Sequence, residues 1–157
     1  MFVILQKNYN MIRVKNKLMF HVSKCRDFQI NKIYDTNSKD FTHGYSRAND
    51  SKVLMEENLE SYRIQNRPNY PSRKQCLFVT EMEDLDYWFH FFRKEYPKSK
   101  IYGVELTGEL FIADSEMMNE PEKYWNGDVS ELHLCEGILS GQFRIEGQYF
   151  LGMTRVN

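Results

Sequence analysis

Glycine is scarce where a phosphate-binding loop would need it: seven of the 8 glycines lie at or beyond Gly103. No Gly-x-Gly-x-x-Gly, Gly-x-x-x-x-Gly-Lys, His-Glu-x-x-His or Gly-x-Ser-x-Gly occurs. The glycine-rich dinucleotide and P-loop schemes, the zincin metalloproteases and the serine-hydrolase elbow are thereby excluded. The 3 cysteines, Cys25, Cys76 and Cys135, are odd in number and have neither disulfide-framework nor zinc spacing, so reduced thiols in a cytoplasmic protein are expected. His43, His90 and His133 stand at no ligand spacing to cysteines or acids, and no metal is expected. Apolar runs fall far short of the roughly 20 residues of a membrane span. The opening Met1-Phe2-Val3-Ile4-Leu5 is broken at once by Gln6-Lys7-Asn8, against a secretory signal.

What is present is ample core material. Hydrophobic residues are 41% of the chain and aromatics 15%, which excludes intrinsic disorder. A length of 157 suits one domain over residues 1–157, with 1–18 as an arm or edge strand. The net charge of −1 hides an asymmetry. Residues 1–75 carry 14 Lys/Arg against 7 Asp/Glu, whereas residues 76–157 carry 7 against 15. Either the first half presents a basic surface to phosphates, with Arg13, Lys15, Lys17, Lys24 and Arg26 as its cluster, or the two halves neutralise each other in the fold.

Along the chain, Leu18 to Val22 reads as a strand and Asp35 to Asp50 as a long polar loop. Ser51 to Gln65 reads as a short amphipathic helix with Ser51 as N-cap. Pro68 and Pro71 mark a turn-rich stretch, in which Arg67 and Arg73 read as solvated charges or as reach toward a pyrophosphate. Leu77 to Thr80 is a strand. Leu85, Trp88, Phe89 and Phe92 recur at helical spacing behind acidic residues, which predicts a helix over about 83–95. Lys100–Leu106 and Leu110–Ala113 read as strands joined by a turn at Gly108, and 115–124 as a short helix. Asn126-Gly127-Asp128 is a turn signal. It leads into strands over Glu131–Ser140, Gln142–Glu146 and Gln148–Val156. Helices in the first two thirds and hairpins in the last make the class α+β.

Three strands each carry one polar group among apolar neighbours: His21 in Met19-Phe20-His21-Val22-Ser23, Thr80 in Leu77-Phe78-Val79-Thr80-Glu81, and Glu136 in Leu134-Cys135-Glu136-Gly137-Ile138-Leu139. Packed together, such strands bring these groups to one cleft. Phe20-His21-Val22-Ser23 resembles the aromatic-His-Gly-Thr strand of the rifamycin ADP-ribosyltransferase family, an H-Y-E-type branch of the ADP-ribosyltransferase superfamily, and of a related set of uncharacterised bacterial proteins. Leu77 to Glu81, followed by Trp88, is similar to that family's Ile-Tyr-Phe-Thr-Ala strand and the helix after it. Ile101-Tyr102-Gly103-Val104-Glu105-Leu106-Thr107-Gly108 is similar to its Ile-Tyr-Val-Val-Glu-Pro-Thr-Gly, with Asp114 near its acidic cluster. Glu136-Gly137-Ile138-Leu139-Ser140-Gly141 resembles its Glu-Pro-Leu-Arg-Val-Val-Gly. The segments keep the family's order over about residues 19–141. Phe78 stands where the family has Tyr, Val22 where it has Gly, and nothing after Gly141 aligns.

The resemblance implies split antiparallel sheets forming an NAD cleft, with a few short helices, and NAD as co-substrate. It implies that His21 hydrogen-bonds the adenosine ribose, that Ser23 orients the nicotinamide half, and that Phe78 stacks on the nicotinamide. Thr80 is then the hydroxyl nearest the one lost with Tyr. Glu136 stands beside the nicotinamide ribose and stabilises the positive charge that develops there; Asp114 is the competing acid. The implied activity is mono-ADP-ribosyl transfer to a nucleic acid, a protein or a small molecule such as an antibiotic, as a toxin or phage-defence effector with an antitoxin as possible partner. Two rivals stand beside it: a module of the same fold that binds NAD, ADP-ribose or a partner protein without turnover, and a nucleic-acid-binding protein using the basic cluster.

Overall fold

A computed structural model describes residues 11–41, 50–150 and 155–156. The 1–10 part of the expected arm, positions 42–49 of the polar loop with His43, and 151–154 of the expected last strand lie outside the described residues. So does the side chain of Ser51, the expected N-cap.

Six strands form one antiparallel sheet. β1 (Met11–Ser23), β4 (Lys100–Asp114) and β5 (Cys135–Tyr149) are long; β2 (Ile33–Asp35), β3 (Leu77–Val79) and β6 (Arg155–Val156) are short. The order is β1-β4-β5-β2, and β3 and β6 also pair with β5. Three helices pack on this sheet: α1 (Asp50–Asn66), α2 (Met82–Glu95) and α3 (Pro121–Asn126). No helix among the described residues is long and apolar enough to cross a membrane.

The turn expected at Gly108 is absent, because β4 runs through it. Gly108 lies opposite Gly141, with φ of +149° and +150°, a conformation that residues with a Cβ rarely adopt. A Cβ on Gly108 would stand 2.4 Å from the Ser140 carbonyl oxygen, and one on Gly141 2.4 Å from that of Thr107. The two glycines therefore bend a continuous pair of strands instead of ending them. The bend extends sideways. Asn16 (φ 53°) forms a bulge in β1 between Val14 and Lys17, and its N–H donates to Thr107 Oγ1 at 3.1 Å. On the other edge the Gly141 N–H donates to Thr36 Oγ1 at 2.9 Å. The bulge resets the period-two pattern of β1, which is why its first half, with Arg13 and Lys15 outward, does not read as one strand with Leu18–Val22.

Bent in this way, the sheet curls until residues 77–80 reach both of its edges. β3 pairs with Gly137–Leu139 of β5, while Phe20 and Thr80 exchange backbone hydrogen bonds of 3.0 and 2.8 Å. One face is filled by Met19, Leu77, Val79, Val104, Leu106, Leu110, Leu139, Phe143 and Ile145, with Phe28 and Phe41 against them. The other face carries two clusters. Phe111, Ala113 and Ile138 lie with Leu59 of α1 and Tyr124 and Trp125 of α3, and Phe20, Val22 and Ile101 lie with Leu85 of α2.

The helices follow local chemistry. α2 has Glu83 and Asp84 in its first turn and Arg93 and Lys94 in its last, matching the helix dipole; its Trp88 Nε1 donates to the Cys135 carbonyl at 3.1 Å. The helix expected over 115–124 is two pieces, a 3-10 turn at Ser115–Met117 and α3, which starts at Pro121 and is stopped by Gly127 in the left-handed region. Pro121 lacks the N–H a continuing helix would use, but suits a first turn.

The bend sets the first prediction. Gly108→Ala and Gly141→Ala should each destabilise by more than about 2 kcal/mol in urea denaturation, while alanine at exposed Gln142 stays within about 0.5 kcal/mol. Equal midpoints for all three would show that the glycines are not required.

Candidate functional site

Alternation along the strands decides which candidate residues meet. Phe78 and Thr80 point away from the face of Leu77 and Val79, and Glu136 points to the side of Ile138. These three therefore share the helix-covered face. His21 and Ser23 alternate with Phe20 and Val22 and lie on the opposite face, where the His21 ring packs edge-on to Phe28 at 5.7 Å between centroids. The structure thus brings together Phe78, Thr80 and Glu136. His21 is linked to them through the backbone: its Nδ1–H donates to the Phe78 carbonyl at 2.6 Å, taking the place of a ladder bond just beyond the Phe20–Thr80 pair.

The centre of the site is a residue that sequence reading placed in solvent. Arg73 is buried, at 4% exposure, and corrects the expectation of a solvated loop charge. Its Nε and Nη2 donate to Glu56 Oε1 and Oε2 at 2.6 and 2.8 Å. Its Nη1 donates to Tyr124 Oη at 2.6 Å and to Glu136 Oε2. The Tyr124 hydroxyl in turn donates to Glu136 Oε2 at 2.6 Å. The guanidinium also lies 4.8 Å from the centroid of the Phe78 ring, a cation–π contact. Burial alone would lower the Arg73 pKa, but Glu136, Tyr124 and Glu56 outweigh it and hold the guanidinium well above its ordinary value. Burial, with Glu136 adding to it, pushes the Tyr124 hydroxyl well up, so it stays protonated and remains a donor.

Two consequences follow for Glu136. One guanidinium stands between two carboxylates, so the cluster keeps a net negative charge. Both partners use the same oxygen, Oε2, and Oε1 carries no hydrogen bond. Because no buried side-chain polar atom among the described residues lacks a partner, Oε1 is the part of this nine-tenths buried side chain that reaches the surface.

The other candidates have local tasks. Asp114 Oδ1 accepts from the Glu116 N–H at 2.9 Å, and Oδ2 accepts from the Ser130 N–H and hydroxyl at 2.6 and 2.7 Å, so this carboxylate pins the 3-10 turn to the loop before β5. Burial opposes its charge, yet these bonds together hold its pKa below the usual carboxylate value. The Ser23 hydroxyl donates to the Arg26 carbonyl and accepts from the Arg26 N–H. Thr80 Oγ1 donates to the Glu81 carbonyl at 3.3 Å. Arg67 donates to Asn126 Oδ1 at 2.6 Å.

Cysteine nucleophiles are disfavoured at Cys76 and Cys135, whose thiols are pushed up, chiefly by burial and for Cys135 also by Asp84 and Asp114. A cleft beside Cys135 is lined by Glu81, Glu83, Asp84, Ile112, Leu132 and His133. No group of three or more metal-ligating side chains occurs among the described residues. The basic cluster is largely engaged: Arg13 pairs with Glu109 at 2.5 Å and Lys17 with Glu81 at 3.6 Å, Lys24 lies over Phe92 and Arg26 over Phe28. The two halves of the chain neutralise each other at these pairs and at Arg73–Glu136.

Sequence reasoning missed Arg73, Glu56 and Tyr124. A signal was available in α1, where Glu56 and Glu60 stand four apart beside Leu59 and Met55, and so face the core with them. Carboxylates on a buried stripe require cations, and Arg63 and Arg73 supply them.

The Asp114 bonds set a pH prediction. A lowered folded-state pKa gives stability that is present above the unfolded carboxylate value of about 4 and is lost as pH falls through the folded value. Asp114→Asn should be less stable than wild type by on the order of 1–2 kcal/mol at neutral pH, and the gap should close below about pH 4. A gap unchanged down to pH 3 would contradict the assignment.

Residues 4–149 match the model of a family described as a protein of unknown function (DUF2441). No curated protein matches the chain.

Proposed function

We propose that this chain, which belongs to the DUF2441 family, is a cytoplasmic mono-ADP-ribosyltransferase that uses NAD as co-substrate and modifies a macromolecule, in a toxin or phage-defence role. The observation that carries the reading is Glu136: a nine-tenths buried carboxylate in a cluster of net negative charge, anchored through Oε2 and open at Oε1. ADP-ribosyl transfer breaks the nicotinamide–ribose bond through an oxocarbenium-like state, and a target nucleophile bonds to the sugar carbon as nicotinamide leaves. A fixed negative charge about 4 Å from that carbon is worth about 4 kcal/mol at an effective dielectric of about 20, and it requires no reorganisation as the charge develops.

The neighbouring residues suit the rest of the co-substrate. Phe78 is half-buried on the same face and offers a ring for stacking, with Arg73 holding it in place. Thr80 stands one residue beyond the Val79–Gly137 pair, across from Glu136. His21 and Ser23 are assigned to the dinucleotide by resemblance alone, and His21 fixes the edge from which Phe78 projects. Asp114, with both oxygens engaged, is the weaker catalytic candidate. The carboxylates of Glu81, Glu83 and Asp84 disfavour a polyanion at the adjoining cleft, so a protein acceptor is favoured over a nucleic acid, and a small molecule such as an antibiotic is the third alternative. An antitoxin remains the partner that the toxin role implies.

A second reading, a module that binds NAD or ADP-ribose without turnover, is favoured by the hydroxyl that Phe78 lacks and by the contact of Arg73 with Glu136. The two separate in one experiment. Purified protein is incubated with NAD labelled on the adenylate phosphate and a cell lysate, with and without nuclease, beside Glu136→Gln. Transfer of label by wild type, lowered about 10²–10³-fold in the variant and insensitive to nuclease, is expected. NAD binding without transfer or nicotinamide release, in lysates of several hosts, would select the binding module.

A further inference from the structure

We propose that Glu56 is a positioning residue of the Glu136 site: by occupying the two-point edge of the Arg73 guanidinium, it keeps Arg73 from closing on both oxygens of Glu136. The inference rests on the transferase reading for its consequence, although its geometry stands by itself.

An arginine presents its donors as a rigid fork, and a carboxylate is the shape that fork fits, so an unopposed Arg–Glu pair closes with two parallel hydrogen bonds. Arg73 makes such a closure, but with Glu56: Nε to Oε1 at 2.6 Å and Nη2 to Oε2 at 2.8 Å. Only Nη1 is left for the β5 side of the cluster, where it is divided between Tyr124 Oη and Glu136 Oε2. Glu136 is therefore held at one oxygen, and Oε1 stays open. Glu56 is itself well covered, its side chain 13% exposed, so its two bonds to Arg73 compete little with water. Without it, a buried cation and a buried carboxylate would face each other with no third charge, and two-point closure would engage Oε1 and cancel the net negative charge that the transfer step requires.

Glu60 provides the matched comparison. It lies one turn along α1, and its carboxylate engages Arg63 and Ser72 instead of Arg73, so Glu60→Gln makes the same charge change on the same helix without freeing Arg73.

The test is a pair of measurements on Glu56→Gln, Glu60→Gln and wild type: a crystal structure of each, and steady-state nicotinamide release from NAD. In Glu56→Gln, Arg73 is expected to contact both oxygens of Glu136, and kcat to fall on the order of 10²-fold with KM for NAD unchanged; Glu60→Gln keeps the wild-type contact and rate. An Arg73 that still touches only Oε2 in Glu56→Gln overturns the proposal, as does two-point closure with an unchanged kcat. Should wild type release no nicotinamide, the transferase reading fails, and the crystal structures still decide whether Glu56 sets the Arg73–Glu136 geometry. If Glu56→Gln does not fold, Glu56→Asp is used; it keeps the charge but is one methylene shorter. Partial closure of Arg73 toward Glu136 Oε1 is then the supporting result, and an unmoved Arg73 the overturning one.

Discussion

A single buried guanidinium, flanked by two carboxylates and a phenol, is the constraint on which the rest of this structure depends. Arg73 ties three otherwise separate pieces together: α1 through Glu56, α3 through Tyr124 and the first turn of β5 through Glu136. Burying a charge is costly unless it is paired and hydrogen-bonded. Arg73 has Nε, Nη1 and Nη2 each bonded, so its burial is tolerated only while all three pieces stay in place. The geometry of the candidate site is thus a by-product of the same bonds that dock the helices on the sheet.

The sheet contributes the other half of that geometry. Had β4 and β5 been flat, residues 77–80 could not pair with β5 and also bond to Phe20 of β1. The glycine pair at 108 and 141 makes the curl possible, and His21 finishes the β1–β3 edge by bonding the Phe78 carbonyl. Phe78, Thr80 and Glu136 consequently stand side by side between α2 and the α1–α3 pair. Residues of opposite parity, His21 and Ser23 among them, face the other layer. A site assembled from strand positions in this way needs no glycine-rich loop, consistent with how few glycines precede Gly103.

Much of the architecture was legible because its signals are local. The aromatic spacing of Leu85, Trp88, Phe89 and Phe92 gave α2 to within a residue, and the apolar run at 77–79 gave β3. The α+β class followed from the order of such elements. What escaped was non-local. Gly108 has the composition of a turn, and only its pairing with Gly141 makes it a bend; Asn16 hides the continuity of β1 by resetting its alternation. Arg73, between Pro71 and Gln75, carries every local mark of an exposed loop residue, and its burial depends on Glu56, Tyr124 and Glu136, at separations of 17, 51 and 63 residues. The polar strand residues were the right ones to single out at Phe78, Thr80 and Glu136, but alternation with Phe20 sends His21 to the other face.

The account stands or falls on whether Arg73 and Glu136 act as one unit. A double-mutant cycle with Arg73→Met and Glu136→Gln, followed by urea denaturation, measures this directly. Arg73→Met alone should cost about 3–5 kcal/mol by leaving buried carboxylates uncompensated. Adding Glu136→Gln should recover part of that loss, giving a coupling energy above about 1.5 kcal/mol. Single losses that add to within about 0.5 kcal/mol would show that the two side chains are energetically independent, and would contradict the claim that this pair organises the site.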